Sequence, residues 1–213
     1  VLVMCSGVVG NNTRRTLDPD EFRGFALADD LAPLVFINGA DTKAAQMFTL
    51  AHELAHIWLG QSALTDSEAG WIPHRQGERW CNRVAAELLV PLSLVHEEHD
   101  PSRALEEETQ RLARRFKVSS LVILRRIHDT GRITKEEFAA AYQSELEKLR
   151  KLPRGAGGNF YLTQAARTSK RFTRALVIST MEGRTLHRDA FRLLGFKKLS
   201  TFQELGRTLG VAV

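Results

Sequence analysis

The chain has 213 residues, 43% hydrophobic and 26% charged, which reads as an ordinary soluble protein with enough length to bury a real core. It holds no apolar run near the roughly 18 residues of a membrane span and no basic-then-apolar leader, and its two cysteines, Cys5 and Cys81, are too few for a disulfide framework, so a cytoplasmic protein with reduced core thiols is expected. The net charge of +5 is uneven: residues 1–100 carry 7 Lys and Arg against 14 Asp and Glu, while residues 101–213 carry 23 against 11 and suit an acidic partner such as nucleic acid, or form a merely solvated basic surface.

In chain order, Val1 to Val9, Phe22 to Ala28 and Leu34 to Asn38 are short apolar or alternating runs parted by Gly, Asn, Asp and Pro, and they read as strands of a small sheet. The chain opens inside such a run, so an upstream segment is expected to be missing. Lys43 to Leu59 carries apolar residues at helical spacing, with Asp41 as a plausible N-cap and Gly60 at the stop position. Ser62 to Arg75 reads as a polar loop, and a second helix is predicted from about Gly77 to Val90, ending before Pro91. Ala104 to Phe116, Ser120 to Asp129 and Lys135 to Lys151 read as three further helices. LPRGAGG is a linker, and short helices broken at Gly183, Gly195 and Gly210 follow. The expected fold is α+β: a small, mostly antiparallel sheet with its helices, then a helical region. The expected domains are a sheet-containing part over 1–100, N-terminally truncated, a helical part over 101–152 and a small C-terminal helical part over 153–213.

The first helix contains TLAHELAHIWLG. His52 and His56, four apart, share one helix face with Cβ atoms about 5–6 Å apart, a spacing that suits two ligands of one metal. Glu53 beside them completes the H-E-x-x-H pattern of zinc hydrolases, so the part over 1–100 is expected to be a metallopeptidase domain with zincin-like metal-binding helices. A catalytic zinc needs a third protein donor and leaves the fourth position for water. The favoured donor is Glu87, because it lies among Val84, Ala85, Leu88 and Leu89 on the second helix, where an unpaired carboxylate is costly to bury. Glu68, Glu78, His74 and the pair His96 and His99 are rivals. Glu53 is then the general base, accepting a proton from water and passing it to the leaving amine in peptide hydrolysis. A structural histidine pair is the alternative. Trp58, Trp71 and Trp80 are expected to be packing residues and Cys81 a core residue.

FRGFALADDLAPLVFINGADTKAAQMFTLAHELAHIWLG followed by CNRVAAELLVP resembles the ImmA/IrrE family of bacterial and phage metallo-endopeptidases, over roughly Val1 to Leu92. The resemblance implies zinc on His52, His56 and Glu87 and catalysis by Glu53. It also implies cleavage of a regulatory protein, typically a repressor, that switches on stress-response or mobile-element genes. Many members carry a helix-turn-helix ahead of the peptidase, and none is visible here. The resemblance further suggests that APLVFIN, just before the metal helix, is an exposed edge strand able to pair with an extended substrate.

In the basic half, LARRFKVSSLVILRRI has the pattern of a helix-turn-helix. Leu112, Phe116, Val118, Leu121 and Ile123 or Leu124 would pack two helices, with Arg114, Arg115, Lys117, Arg125 and Arg126 outside to meet DNA phosphates. A helical hairpin with solvated arginines is the alternative. The leading expectation is a zinc endopeptidase acting on a repressor protein. Its rival is a non-catalytic DNA- or protein-binding regulator on the same fold. Substrate identity, activating signal and oligomeric state are not readable.

Overall fold

The computed structural model describes residues 1–10, 12–66, 76–150 and 167–211. Among the described residues there are six strands: β1 (Leu2–Ser6), β2 (Val8–Val9), β3 (Asn12–Thr16), β4 (Phe22–Leu27), β5 (Leu34–Asn38) and β6 (Ala63–Asp66). The described helices are α1 (Lys43–Trp58), α2 (Gln76–Leu89), α3 (Leu92–Glu98), α4 (Leu105–Phe116), α5 (Ser120–Asp129), α6 (Lys135–Arg150), α7 (Lys170–Met181), α8 (His187–Leu194) and α9 (Leu199–Thr208). The class is α+β, as expected. Among the described residues no helix is long and apolar enough to cross a membrane.

By contacts the chain forms two compact units, one of Val1–Asp41, Gly60–Ser67 and Gly155–Val213, the other of Thr42–Leu59 and Glu68–Arg154. Residues 1–100 therefore contribute to both.

The first unit contains a four-stranded mixed sheet of order β1-β5-β4-β6, and β2 and β3 form a separate two-stranded ribbon. β5 runs parallel to β1, and both β4 pairings are antiparallel. Alternation sets the faces: Val35 and Ile37 on β5 and Ala26 on β4 are buried, while Phe36 stacks on Phe25 at 5.1 Å between ring centroids. The sheet corrects the expectation for APLVFIN. β5 is paired on both sides, and the sheet's edges belong to β1 and β6. β6 itself falls in the stretch read as a polar loop; residues 67–75 of that stretch lie outside the described residues.

After β5 the chain turns through Asn38–Asp41. Asn38 is fully buried, its Nδ2 donating to the Phe22 carbonyl and its Oδ1 accepting from the Ala40 N–H, both at 3.0 Å. Gly39 passes so close to the end of β1 that a Cβ there would lie 2.9 Å from the Gly7 nitrogen, so only glycine fits. The C-terminal part of this unit, α7 to α9, gathers its own core of Leu176, Val177, Ala190, Leu194, Phe196, Phe202, Leu205 and Leu209. Its helices end at or just before Gly183, Gly195 and Gly210, all at positive φ, as read from the sequence. The LPRGAGG linker lies outside the described residues.

The second unit is helical. α1 is capped by Thr42, whose hydroxyl accepts from the Ala45 N–H at 3.2 Å, and not by Asp41. Gly60 follows its last turn at φ +65. α1 packs on α2, and the small residues Ala51, Ala55, Cys81 and Ala85 are buried. A second core of Val90, Val95, Leu112, Ala113, Val118, Ile123 and Ile127 joins the end of α2 to α3, α4 and α5. α3, which the sequence reading passed over, starts directly after Pro91.

Two further expectations change. Trp58 is 60% exposed and Trp80 is 39% exposed, so neither is a core residue; Trp71 lies outside the described residues. Arg126, expected on the outside of a helix-turn-helix, is 5% exposed. Its Nε donates to the Val90 carbonyl at 2.8 Å, satisfying the end of α2. α4 and α5 are joined through Lys117 in the left-handed conformation and Ser119 as N-cap, and the exposed cations beside this turn are partly engaged: Arg115 with Glu98 at 3.3 Å and Arg125 with Asp129 at 3.4 Å.

Candidate metal centre

The buried stripe of α1 is polar where an amphipathic helix normally places aliphatic residues. Thr49, His52, Glu53 and His56 recur at helical spacing and are each at most 5% exposed. Buried polar groups need partners, and those of this stripe are supplied by α2.

Glu78, in the first turn of α2, faces both histidines. Its Oε2 lies 3.1 Å from His52 Nε2 and its Oε1 lies 3.2 Å from His56 Nε2. The two Nε2 atoms are 3.1 Å apart. One turn further along α2, Asn82 Oδ1 accepts from His52 Nδ1–H at 2.9 Å. With the ring proton on Nδ1 for that bond, Nε2 is the nitrogen that a cation would take; without one, Nε2–H is the donor to Glu78. His52, His56 and Glu78 thus each offer one ligand atom within 4.8 Å of the others.

The protonation states suit a cation. Hydrogen bonding from His52 holds the Glu78 carboxyl below its usual range, with burial opposing and both histidines assisting. Burial, then the neighbouring His52, holds His56 below its usual value. A neutral imidazole and an ionised carboxylate are the forms that bind metal. Two nitrogen lone pairs and a carboxylate converging this closely lack only a positive charge, so the donors fit a divalent ion with nitrogen and oxygen ligation.

Glu87, the favoured third ligand in the sequence, stands elsewhere. Its side chain is 57% exposed, pairs with Arg126 through a short contact, and accepts from the Leu92 N–H at 3.3 Å. Nine residues separate it from Glu78, half a turn out of phase, so a helix that aims Glu78 at α1 must aim Glu87 away. The burial expected around Glu87 is absent: Leu88, its apolar sequence neighbour, is 56% exposed. The signal that points to Glu78 is its phase with Cys81, Asn82 and Ala85 at i+3, i+4 and i+7. Of the other rivals, His96 and His99 lie at α3, and Glu68 and His74 lie outside the described residues.

Glu53, next to His52 on α1, is fully buried. Burial, then the charges of Glu78 and Glu53, pushes the Cys81 thiol up to about 12, which keeps it protonated. Cys81 is an inert core residue, as expected.

Residues 6–128 match the Peptidase_M78 family, described as IrrE N-terminal-like domain, and residues 168–208 match a Domain of unknown function (DUF8813). No curated protein matches the chain.

Proposed function

Because the chain belongs to the Peptidase_M78 family of IrrE N-terminal-like domains, and so to a family of metallopeptidases, we propose that it is a zinc endopeptidase whose metal is held by His52, His56 and Glu78. The observation that carries this reading is the convergence of those three donors on one point between α1 and α2. Zinc bound there would polarise the scissile carbonyl and acidify water toward neutral pH.

The chain's own residues do the rest. Asn82 orients His52, so that donor enters the site in one tautomer. Glu53, the neighbour of His52 on the same helix, takes a proton from water as it attacks the carbonyl carbon and returns it to the leaving nitrogen, so that one peptide bond breaks with no net proton change at the enzyme. Burial of Glu53 excludes competing solvent from that proton.

The proposed substrate is a regulatory protein, a transcriptional repressor, cleaved in the cytoplasm to release stress-response or mobile-element genes. A repressor is the substrate class that the ImmA/IrrE resemblance implies. The test is incubation of zinc-loaded chain with candidate repressors encoded near its gene, followed by mass spectrometry. One new pair of termini, lost when the metal is chelated, is expected. Derepression in cells without any cleavage product would favour the rival reading, a regulator that works by binding.

A further inference from the structure

The basic character of the second half is concentrated at its end. Residues 101–150 carry 11 Lys and Arg against 8 Asp and Glu, whereas residues 167–211 carry 10 against 3. All three acids of the latter segment lie beside an arginine: Glu182 by Arg184, Asp189 by Arg188 and Glu204 by Arg207, at 3.1–3.6 Å. Arg192, Lys197 and Lys198 are exposed and make no ion pair among the described residues.

The backbone gives those charges a shape. α8 (His187–Leu194) and α9 (Leu199–Thr208) are joined by the four residues Gly195 to Lys198, with Gly195 at φ +68 allowing the sharp reversal. Phe196 in this turn is buried, and Phe202 of α9 packs against His187 and Phe191 of α8 at 5.8 and 5.5 Å between ring centroids. α7 contributes Leu176 and Val177 to the same core, so α8 and α9 both pack on it. Two helices around a short glycine-containing turn, buttressed by a third, are the helix-turn-helix arrangement.

The outward surface of α9 is polar. Phe202, Leu205 and Gly206 face the core, while Ser200, Thr201, Gln203, Glu204 and Arg207 line a shallow recess on the other side. Hydroxyl, amide and guanidinium groups at i, i+3 and i+7 are the donors and acceptors that read base edges. Lys197 and Lys198 stand at the start of that helix, and Arg188 and Arg192 project from α8, where phosphates flank a helix lying in the major groove.

We propose that α8 and α9 form a helix-turn-helix that binds duplex DNA, with α9 in the major groove and Lys197, Lys198, Arg188 and Arg192 on the phosphates. The α4–α5 pair is the weaker candidate, since Arg126 is buried on Val90 and Glu87 and the first turn of α4 holds three glutamates. The DNA site is independent of the metal centre, and Glu53→Gln should bind duplex as the parent does.

The experiment is fluorescence anisotropy of the full chain with a short labelled duplex of mixed sequence, titrated between about 50 and 200 mM salt. The parent is expected to bind with a steep salt dependence. Lys197→Ala combined with Lys198→Ala should lower the salt slope by about two, one unit per lysine, and weaken low-salt binding at least about tenfold. Arg114→Ala combined with Arg115→Ala should leave binding unchanged. Glu204→Lys should tighten it, which separates lost contacts from lost folding. No duplex binding by the parent, equal binding by the double lysine variant, loss only in the α4 variant, or tighter binding of single-stranded RNA than of duplex would each overturn the proposal.

Discussion

Glu78 and Glu87 leave the same helix in opposite directions: Glu78 meets His52 and His56 at 3.1 and 3.2 Å, while Glu87 meets Arg126 and the Leu92 N–H. The two carboxylates have the same chemistry, and only their phase on α2 separates a candidate ligand from a structural brace. Glu78→Ala is therefore expected to lose bound zinc on metal analysis. Glu87→Ala should retain it, while thermal unfolding shows a loss of about 1 kcal/mol, because an exposed carboxylate on a buried arginine contributes modestly. Zinc loss in the Glu87 variant with retention in the Glu78 variant would reverse the assignment.

Asn82 bonds His52, and through that ring it would act on a bound metal. Replacement by Leu keeps the branched shape but removes the acceptor, so the imidazole can turn and change tautomer. Competition with a chromophoric chelator should report zinc affinity about 10–100-fold weaker. Asn82→Asp, which restores an acceptor, should recover most of it. Equal affinity in the Leu variant would mean that the bond does not position the ring.

Glu108 gives the helical unit an acid-sensitive joint. It is fully buried, accepts from the Asp100 N–H at 2.9 Å and binds Arg111 through both oxygens at 2.8 Å. Those Arg111 bonds, against the cost of burial, hold its carboxyl below the ordinary 4.5. A depressed acid contributes stability that is fully present above the unfolded value and is lost as pH falls through the folded one. Glu108→Gln should thus unfold about 2 kcal/mol more readily at neutral pH. Denaturant titrations should show that gap closing as pH drops below about 4.5. A gap independent of pH would remove the ionised pair as its cause.

The legible parts of this molecule are those written in local periodicity. The α1 stripe carrying His52, Glu53 and His56, the stop at Gly60, and the glycine breaks after α7, α8 and α9 each depend on residues within a turn or two. What escaped depends on distant partners. Ala63–Asp66 is polar enough to read as loop and becomes β6 only by pairing with β4. β5 is interior because β1 returns parallel beside it, which its own residues do not encode. Arg126 looks solvated in a run of arginines, yet the Val90 carbonyl at the end of α2 draws it inside. Glu87 looks buried among its sequence neighbours for the same reason, because only the side of α2 that meets α1 decides its exposure.

Glu53 separates the peptidase from a binding-only regulator. It is buried on the same stripe as His52 and His56, but Glu78 offers the third donor, so its carboxylate would not be needed to hold a metal. Glu53→Gln keeps the size and polarity of the side chain and removes only the base. Zinc content and the unfolding temperature are expected to survive. Cleavage should not, since loss of a general base costs about 10²–10⁴-fold. Because His52, His56 and Glu78 are untouched, the loss could not be ascribed to missing metal. The readout is repressor half-life in cells expressing parent or variant at equal levels. Rapid loss of the repressor with the parent and persistence with the variant is the expected result. Equal derepression by both, with the repressor intact, would mean that the site works by binding and not by proton transfer.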